Sequence, residues 1–234
     1  MVLLCACKLG FDARIAPPDA PDTAFIDAAI DTPIDTPVGT TTITFGERPT
    51  SQRKIVSYDT ALAEALPTQN NGAAQDLALE AEPNNRFHSL LRFDLTSVAP
   101  GTQLVAARVK LVRLDYGDEV NGAIVIYRIT ESWVEGTGDA MVVLPGATWQ
   151  ARDGTTVWTT TGGTISTMLA MLTPPSVAFD VALPVAVVQE WIDDPQINHG
   201  MLLKSVAEPT HVHLHQSDST ATDLRPELEL VLVP

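Results

Sequence analysis

Cysteine is nearly absent: the 234 residues hold only Cys5 and Cys7, so residues 8 to 234 form neither a disulfide nor a thiolate metal site. Nucleophilic-thiol chemistry is thereby excluded from the body of the chain. Cations are scarce, 14 Lys and Arg against 29 Asp and Glu, and the formal charge of −15 opposes attraction to nucleic acid or anionic lipid. No nucleic-acid partner is expected. No run approaches the ~18 consecutive apolar residues that a spanning helix needs, so no membrane span is expected either. There is no G-x-S-x-G elbow, no P-loop, no G-x-G-x-x-G and no H-E-x-x-H, and the expectation is a non-enzyme. What the chain does have is 45% hydrophobic residues, enough to build a core.

The N-terminus has the character of an export and tether segment. Leu4-Cys5-Ala6-Cys7 resembles the lipobox of bacterial lipoproteins, with Cys7 in the place of the lipidated cysteine. Met1 to Ala6 is shorter than the basic n-region and ~7–15 apolar residues of a signal peptide, so residues 1–11 read as the remnant of one. An extracellular or cell-envelope location with a lipid anchor follows as an expectation. Residues 12–45 are rich in Asp, Pro and Thr, and Ile30-Asp31-Thr32-Pro33 repeats at once as Ile34-Asp35-Thr36-Pro37. Each proline removes a donor and the aspartates repel one another, which predicts a disordered linker. Residues 1 to 45 hold two cations and six acids, so residues 46–234 hold 12 and 23 and still carry −11.

Residues 46–234 predict an all-β jelly-roll sandwich of eight to ten antiparallel strands. Phe87, Ser89, Leu91 and Phe93 alternate with His88, Leu90 and Arg92, which points Leu91 and Phe93 inward. Ala107, Val109 and Leu111 alternate with Arg108, Lys110 and Val112, and Asp115 to Gly122 reads as a turn into Ile124–Thr130, a β-hairpin. Val212 and Leu214 alternate with three histidines, and Leu228, Leu230 and Leu232 with Glu227, Glu229 and Val231. Val185 to Ile192 has apolar residues at helical spacing and is stopped by Asp193-Asp194-Pro195, a short surface helix. Ala61 to Leu66 is a weaker helical candidate.

Several residues carry candidate chemistry. Arg92, Arg108, Lys110 and Arg128 lie on polar strand faces, where a guanidinium binds a carboxylate bidentately; the bland alternative is cross-strand pairing to Glu227, Glu229 or other acids. His211, His213 and His215 project from one strand face, with neighbours about 6.5–7 Å apart at Cα, a spacing suited to metal chelation, to ligand hydroxyls or to pairing with Glu227 and Glu229. Trp149 and Trp158 flank Arg152-Asp153-Gly154, where an exposed ring would stack on a sugar and a half-buried one would cap the sandwich. Asp115, Asp118, Glu119 and Asn121 offer four oxygen-bearing side chains within one turn, hard-ligand chemistry suited to structural calcium or simply a polar turn. Glu131 and Glu135 flank Trp133 as a carboxylate pair, the minimum a glycosidase needs if two such groups face one another.

A series of motifs runs through this body in order: Asn71-Gly72, Ser89 to Leu95, Ala107 to Leu111, Val125 to Gly136, Thr148-Trp149, Gly162-Gly163, Trp191, Asn198 to Lys204, and Arg225 to Leu228. Residues 50 to 234 thereby resemble the DNRLRE domain, also called the family 96 carbohydrate-binding module. The resemblance implies a jelly roll and a non-catalytic extracellular module that binds an acidic polysaccharide. The expectation is therefore a polysaccharide-binding module working through a sheet face, with Arg108, Lys110 and Arg128 on carboxylates and His211 and His213 on hydroxyls. The alternatives are a structural or adhesive surface protein with a protein partner, and a hydrolase with an unrecognised site.

Overall fold

The computed structural model describes residues 39–54, 57–114, 123–172 and 177–233, all within the unit Thr36–Pro234. In chain order the strands are β1 (Thr41–Gly46), β2 (Arg53–Lys54), β3 (Ser57–Ala63), β4 (Asp76–Ala81), β5 (Phe87–Phe93) and β6 (Gln103–Val112). There follow β7 (Ile124–Ile129), β8 (Ile165–Leu172), β9 (Ala178–Leu183), helix α1 (Val185–Asp193), β10 (Met201–Ser205), β11 (Thr210–His215) and β12 (Glu227–Val233). One sheet has the order β2-β1-β12-β6-β9; the other runs β11-β4-β5-β10-β7-β8, with β3 also paired to β5. All pairings are antiparallel except the short β1–β2 contact. The described residues form an all-β sandwich, as the alternating runs predict, with a single α-helix among them.

Alternation decides which side chains lie between the sheets. Ala107, Val109 and Leu111 of β6, Leu228, Leu230 and Leu232 of β12, and Leu91 and Phe93 of β5 all join the main core. Each buried Leu or Phe contributes about 1.5–3 kcal/mol relative to an exposed one. Helix α1 adds Val188, Trp191 and Ile192 to the same core, and the spacing of these three residues is what makes the segment amphipathic.

The opposite face of the second sheet is covered as well. Leu90, Ile129 and Leu202 point away from sheet one and meet Trp133, Trp149 and Trp158 in a second core. These tryptophans come from the 130–164 connection between β7 and β8, longer than the ~12–15 residues usual for a loop without its own strands or helices. Asn70, fully buried, fastens it: Nδ2 donates to Glu135 O (2.6 Å) and Ala147 O (2.9 Å), while Oδ1 accepts from Gly138 N (2.8 Å) and Gly72 N (3.3 Å). The segment is a third layer on the sandwich.

Four local expectations are corrected. Thr41–Gly46 is a strand paired to β12 with Phe45 in the core, so the sandwich begins inside the range read as linker. Ala61 to Ala63 belongs to β3, because the Leu62 side chain is taken by the second core and the backbone by β5. β6 and β7 are not a hairpin: β6 pairs β12 and β9, whereas β7 pairs β10 and β8 in the other sheet. The strands number twelve among the described residues, because β2, β3 and β4 carry weak or partial alternation. The linker up to Val38, Cys7 and the four turn residues Asp115, Asp118, Glu119 and Asn121 lie outside the described residues.

Candidate functional site

Three of the four sequence-predicted cations are already neutralised within the protein. Arg108 on β6 donates through Nε to Asp180 Oδ1 (2.7 Å) and through Nη2 to the Asp180 carbonyl (2.9 Å). Lys110, two residues on, sits 2.7 Å from Glu229 and 3.7 Å from Glu227 on β12, the cross-strand pairing that the register Glu227↔Lys110 dictates. Arg128 reaches Glu190 of α1 at 2.6 Å. These three do not share a face: Arg108 and Lys110 lie on the outer side of the first sheet, and Arg128 belongs to the second. The single cationic face expected from the sequence is therefore corrected, because two sheets separate what alternation alone leaves on one side.

The histidines are likewise engaged. β11 pairs with β4 and not with β12, so the acids that His211 and His213 meet come from β4 and the residue just after it, Glu82, and not from Glu227 or Glu229. His213 Nδ1 donates to Asp76 (2.6 Å), His211 Nε2 to Glu82 (2.8 Å), and Glu80 stands between them at 3.7 Å and 3.9 Å. His215 is buried, with Nδ1 against Ser219 Oγ at 2.8 Å. Among the described residues no three His, Cys, Asp or Glu side chains come together to hold a metal ion.

Trp149 and Trp158 are both buried, and the Trp158 indole N–H donates to Thr148 O at 2.9 Å. Glu131 accepts from the hydroxyls of Thr159 (2.5 Å) and Thr164 (2.7 Å); partial burial acts against its ionised form, but these donors outweigh it and hold its pKa low. Glu135 Oε1 instead accepts from the Asp59 N–H at 2.7 Å. The two glutamates flanking Trp133 are thus held by different partners.

Arg92 is the exception among the sequence-predicted cations. It leaves the outer face of β5 and lies 4.3 Å over the Tyr58 ring and 5.2 Å over the Trp133 ring. No carboxylate comes within ion-pair distance of it among the described residues. Burial draws its pKa below the ordinary arginine value, opposed by Tyr58, Glu135 and Asp94, and a guanidinium stays charged under such conditions. The two stacking contacts contribute roughly 0.5–2 kcal/mol each and leave the edge of the fork to hydrogen-bond.

That fork stands between two clefts. One, of about 300 Å³, is lined by Tyr58, Trp133, Glu135 and Pro145; the other, of about 150 Å³, by Asp94, Thr96, Pro195 and Asn198, and Arg92 lines both. Two glycines set the approach. Gly136 (φ +84°) packs so tightly that a Cβ would lie 2.4 Å from Asn70 Oδ1, and at Gly200 (φ +82°) a Cβ would lie 2.4 Å from Leu91 O and 2.7 Å from Arg92 Cβ. Glu135 faces Arg92 across the larger cleft, and its pKa is pushed up to about 7, by burial first and then by Asp218 and Glu47, against the lowering effect of the Asp59 N–H and Arg92. Asp59 behind it is fully buried and raised well above the usual carboxylate range by burial, despite donors from Ser217 N and Oγ, both 2.8 Å away.

The sequence names Arg92 but not Tyr58, Asn70 or Asn198 as parts of this site. Tyr58 stands in a strand without clear alternation, and Asn70 and Asn198 act through backbone carbonyls distant in sequence, Asn198 donating to Phe93 O at 2.8 Å. No protein-family model matches the chain, and no curated protein is significantly similar to it.

Proposed function

We propose that the protein is a non-catalytic carbohydrate-binding module whose primary site is the cleft at Arg92, with an acidic polysaccharide as ligand. The observation that carries this reading is a guanidinium without a carboxylate ion-pair partner among the described residues, held against two aromatic rings and lining a 300 Å³ cleft in a chain of charge −15. A uronate carboxylate accepts two parallel N–H bonds from such a fork, while Asp94, Asn198 and Glu135 offer partners to sugar hydroxyls. Relative to the sheet face expected from the sequence, the site moves from Arg108, Lys110 and Arg128, whose charges are spent on Asp180, Glu229 and Glu190, to Arg92. Export and acylation of Cys7 belong to the same proposal, and labelling of expressing cells with radioactive palmitate tests them.

Affinity electrophoresis in gels containing alginate, pectin, heparin or neutral glucan tests the binding. The expected result is retardation by an acidic glycan that is lost in Arg92→Met and kept in Arg108→Ala. Equal retardation of wild type and Arg92→Met, or none in any gel, refutes it.

A second reading, an adhesive surface protein with a protein partner, is favoured by one observation. Met141, Val142, Leu144 and Val157 of the 130–164 layer are all more than half exposed. Capture of a protein with no glycan retardation would select it.

A further inference from the structure

On β5, His88 and Arg92 share the outer face four residues apart, about 13 Å between Cα atoms. Leu90 lies between them under the three tryptophans, so the aromatic cover has a groove at each end. The groove at the His88 end measures about 390 Å³ and shares no residue with either Arg92 cleft. Its wall carries two cations, Arg86 and Lys204, and one acid, Glu64.

Glu64 is committed to Arg86: it receives Nε at 2.8 Å and closes the fork through Nη2. A second acid, Glu208, also acts on Arg86 electrostatically. Lys204 has no such partner among the described residues; its ammonium lies 5.0 Å over the Tyr127 ring, half-buried. Burial, and then repulsion from Arg86, pull its pKa below the ordinary lysine value. His88 adds no charge near neutral pH, because burial first and the nearby cations second depress it to about 4, while Nδ1 donates to Gly162 O at 2.7 Å. The Trp149 ring lines the groove but is itself buried, with His88 tilted against it at 4.7 Å and the Arg86 guanidinium 5.5 Å from its centroid. Thr160 and Thr161 supply hydroxyls at the rim.

The geometry points to the Lys204 groove as a second binding site, for an anionic group carried on a sugar. An anion placed between Lys204 and the free edge of Arg86 relieves the repulsion between them and gains charge-assisted hydrogen bonds from both. The rim threonines suit the hydroxyls of the carrier, and the burial of Trp149 leaves little of its ring for a sugar to stack on. The sugar as carrier rests on the glycan reading above; the anion site itself does not, because it uses none of the Arg92 residues.

Titration calorimetry on the full chain distinguishes the two. The probes are a size-defined oligouronate, a sulfated oligosaccharide of the same length, and inorganic sulfate, applied to wild type, Lys204→Met, Lys204→Arg and Arg92→Met. The expected result is two equivalents of one acidic oligosaccharide on wild type and one on Lys204→Met, with Lys204→Arg restoring the second. The uronate and sulfate arms tell which anion the groove takes. If Arg92→Met leaves binding unchanged while Lys204→Met removes an equivalent, the Arg92 site fails and the Lys204 site stands. Unchanged stoichiometry and affinity in Lys204→Met overturns the inference, and so does inorganic sulfate binding with no oligosaccharide binding. Thermal melts show that each variant is folded.

Discussion

Replacing Asn70 by alanine should detach the aromatic layer from the sandwich. The amide of Asn70 makes four hydrogen bonds, two to carbonyls of the layer and two from backbone N–H groups of Gly72 and Gly138. It is clamped by Gly136 and Gly146, where any Cβ would lie within 2.7 Å of it. A typical buried hydrogen bond contributes roughly 0.5–1.5 kcal/mol net, so four sum to about 4 kcal/mol. No water-accessible route compensates the loss, since Asn70 is fully buried. Asn70→Asp should not rescue it, because a carboxylate has no donors for the carbonyls of Glu135 and Ala147 and carries a buried charge. Urea unfolding followed by tryptophan fluorescence measures this well, since Trp133, Trp149 and Trp158 all sit in the second core. A loss below about 1 kcal/mol by that probe refutes the view that one side chain fastens the layer.

Glu135 titrates near 7 in the folded protein against an ordinary 4.5, so the folded state binds more protons than the unfolded one across that window. The Glu135 contribution to stability should fall as pH rises from about 4.5 to 7, so the difference in denaturation midpoint between wild type and Glu135→Gln should change across that window, with the same-signed contribution of Asp59 present in both. His88 has the opposite sign: with a folded pKa of about 4 against 6.5, its contribution is fully present above pH 6.5 and lost as pH falls towards 4. Its imidazole proton resonance should keep the neutral shift at pH 5, and a titration midpoint above 6 would contradict the buried geometry. Gly200→Ala combines a left-handed φ with a Cβ 2.4 Å from Leu91 O, so a loss of more than about 2 kcal/mol in urea is expected, together with weaker glycan retardation through the displaced Arg92.

The parts legible in the sequence are those where a period repeats inside one strand or helix. The inward set of β5, β6, β11 and β12, and the buried face of α1, follow from spacing because a pleat and a helical turn place side chains by local geometry. The same logic puts Arg92, Arg108 and Lys110 on polar faces. It does not say which face belongs to which sheet. That is why Arg128 separates from Arg108 and Lys110. Asn70 and Asn198 are invisible at this level, since their meaning lies in carbonyls 65 and 105 residues away.

By itself, then, the sequence determined an acidic, thiol-poor β-sandwich and the orientation of its regular strands, because composition and alternation are local properties. Strand pairing, the folding of segment 130–164 over the outer face, and the contrast between paired Lys110 and Arg92 without a carboxylate were decided by the tertiary structure. The reason is physical: whether a charge is satisfied depends on which distant acid the fold carries within about 4 Å of it, and no spacing along one strand encodes that distance.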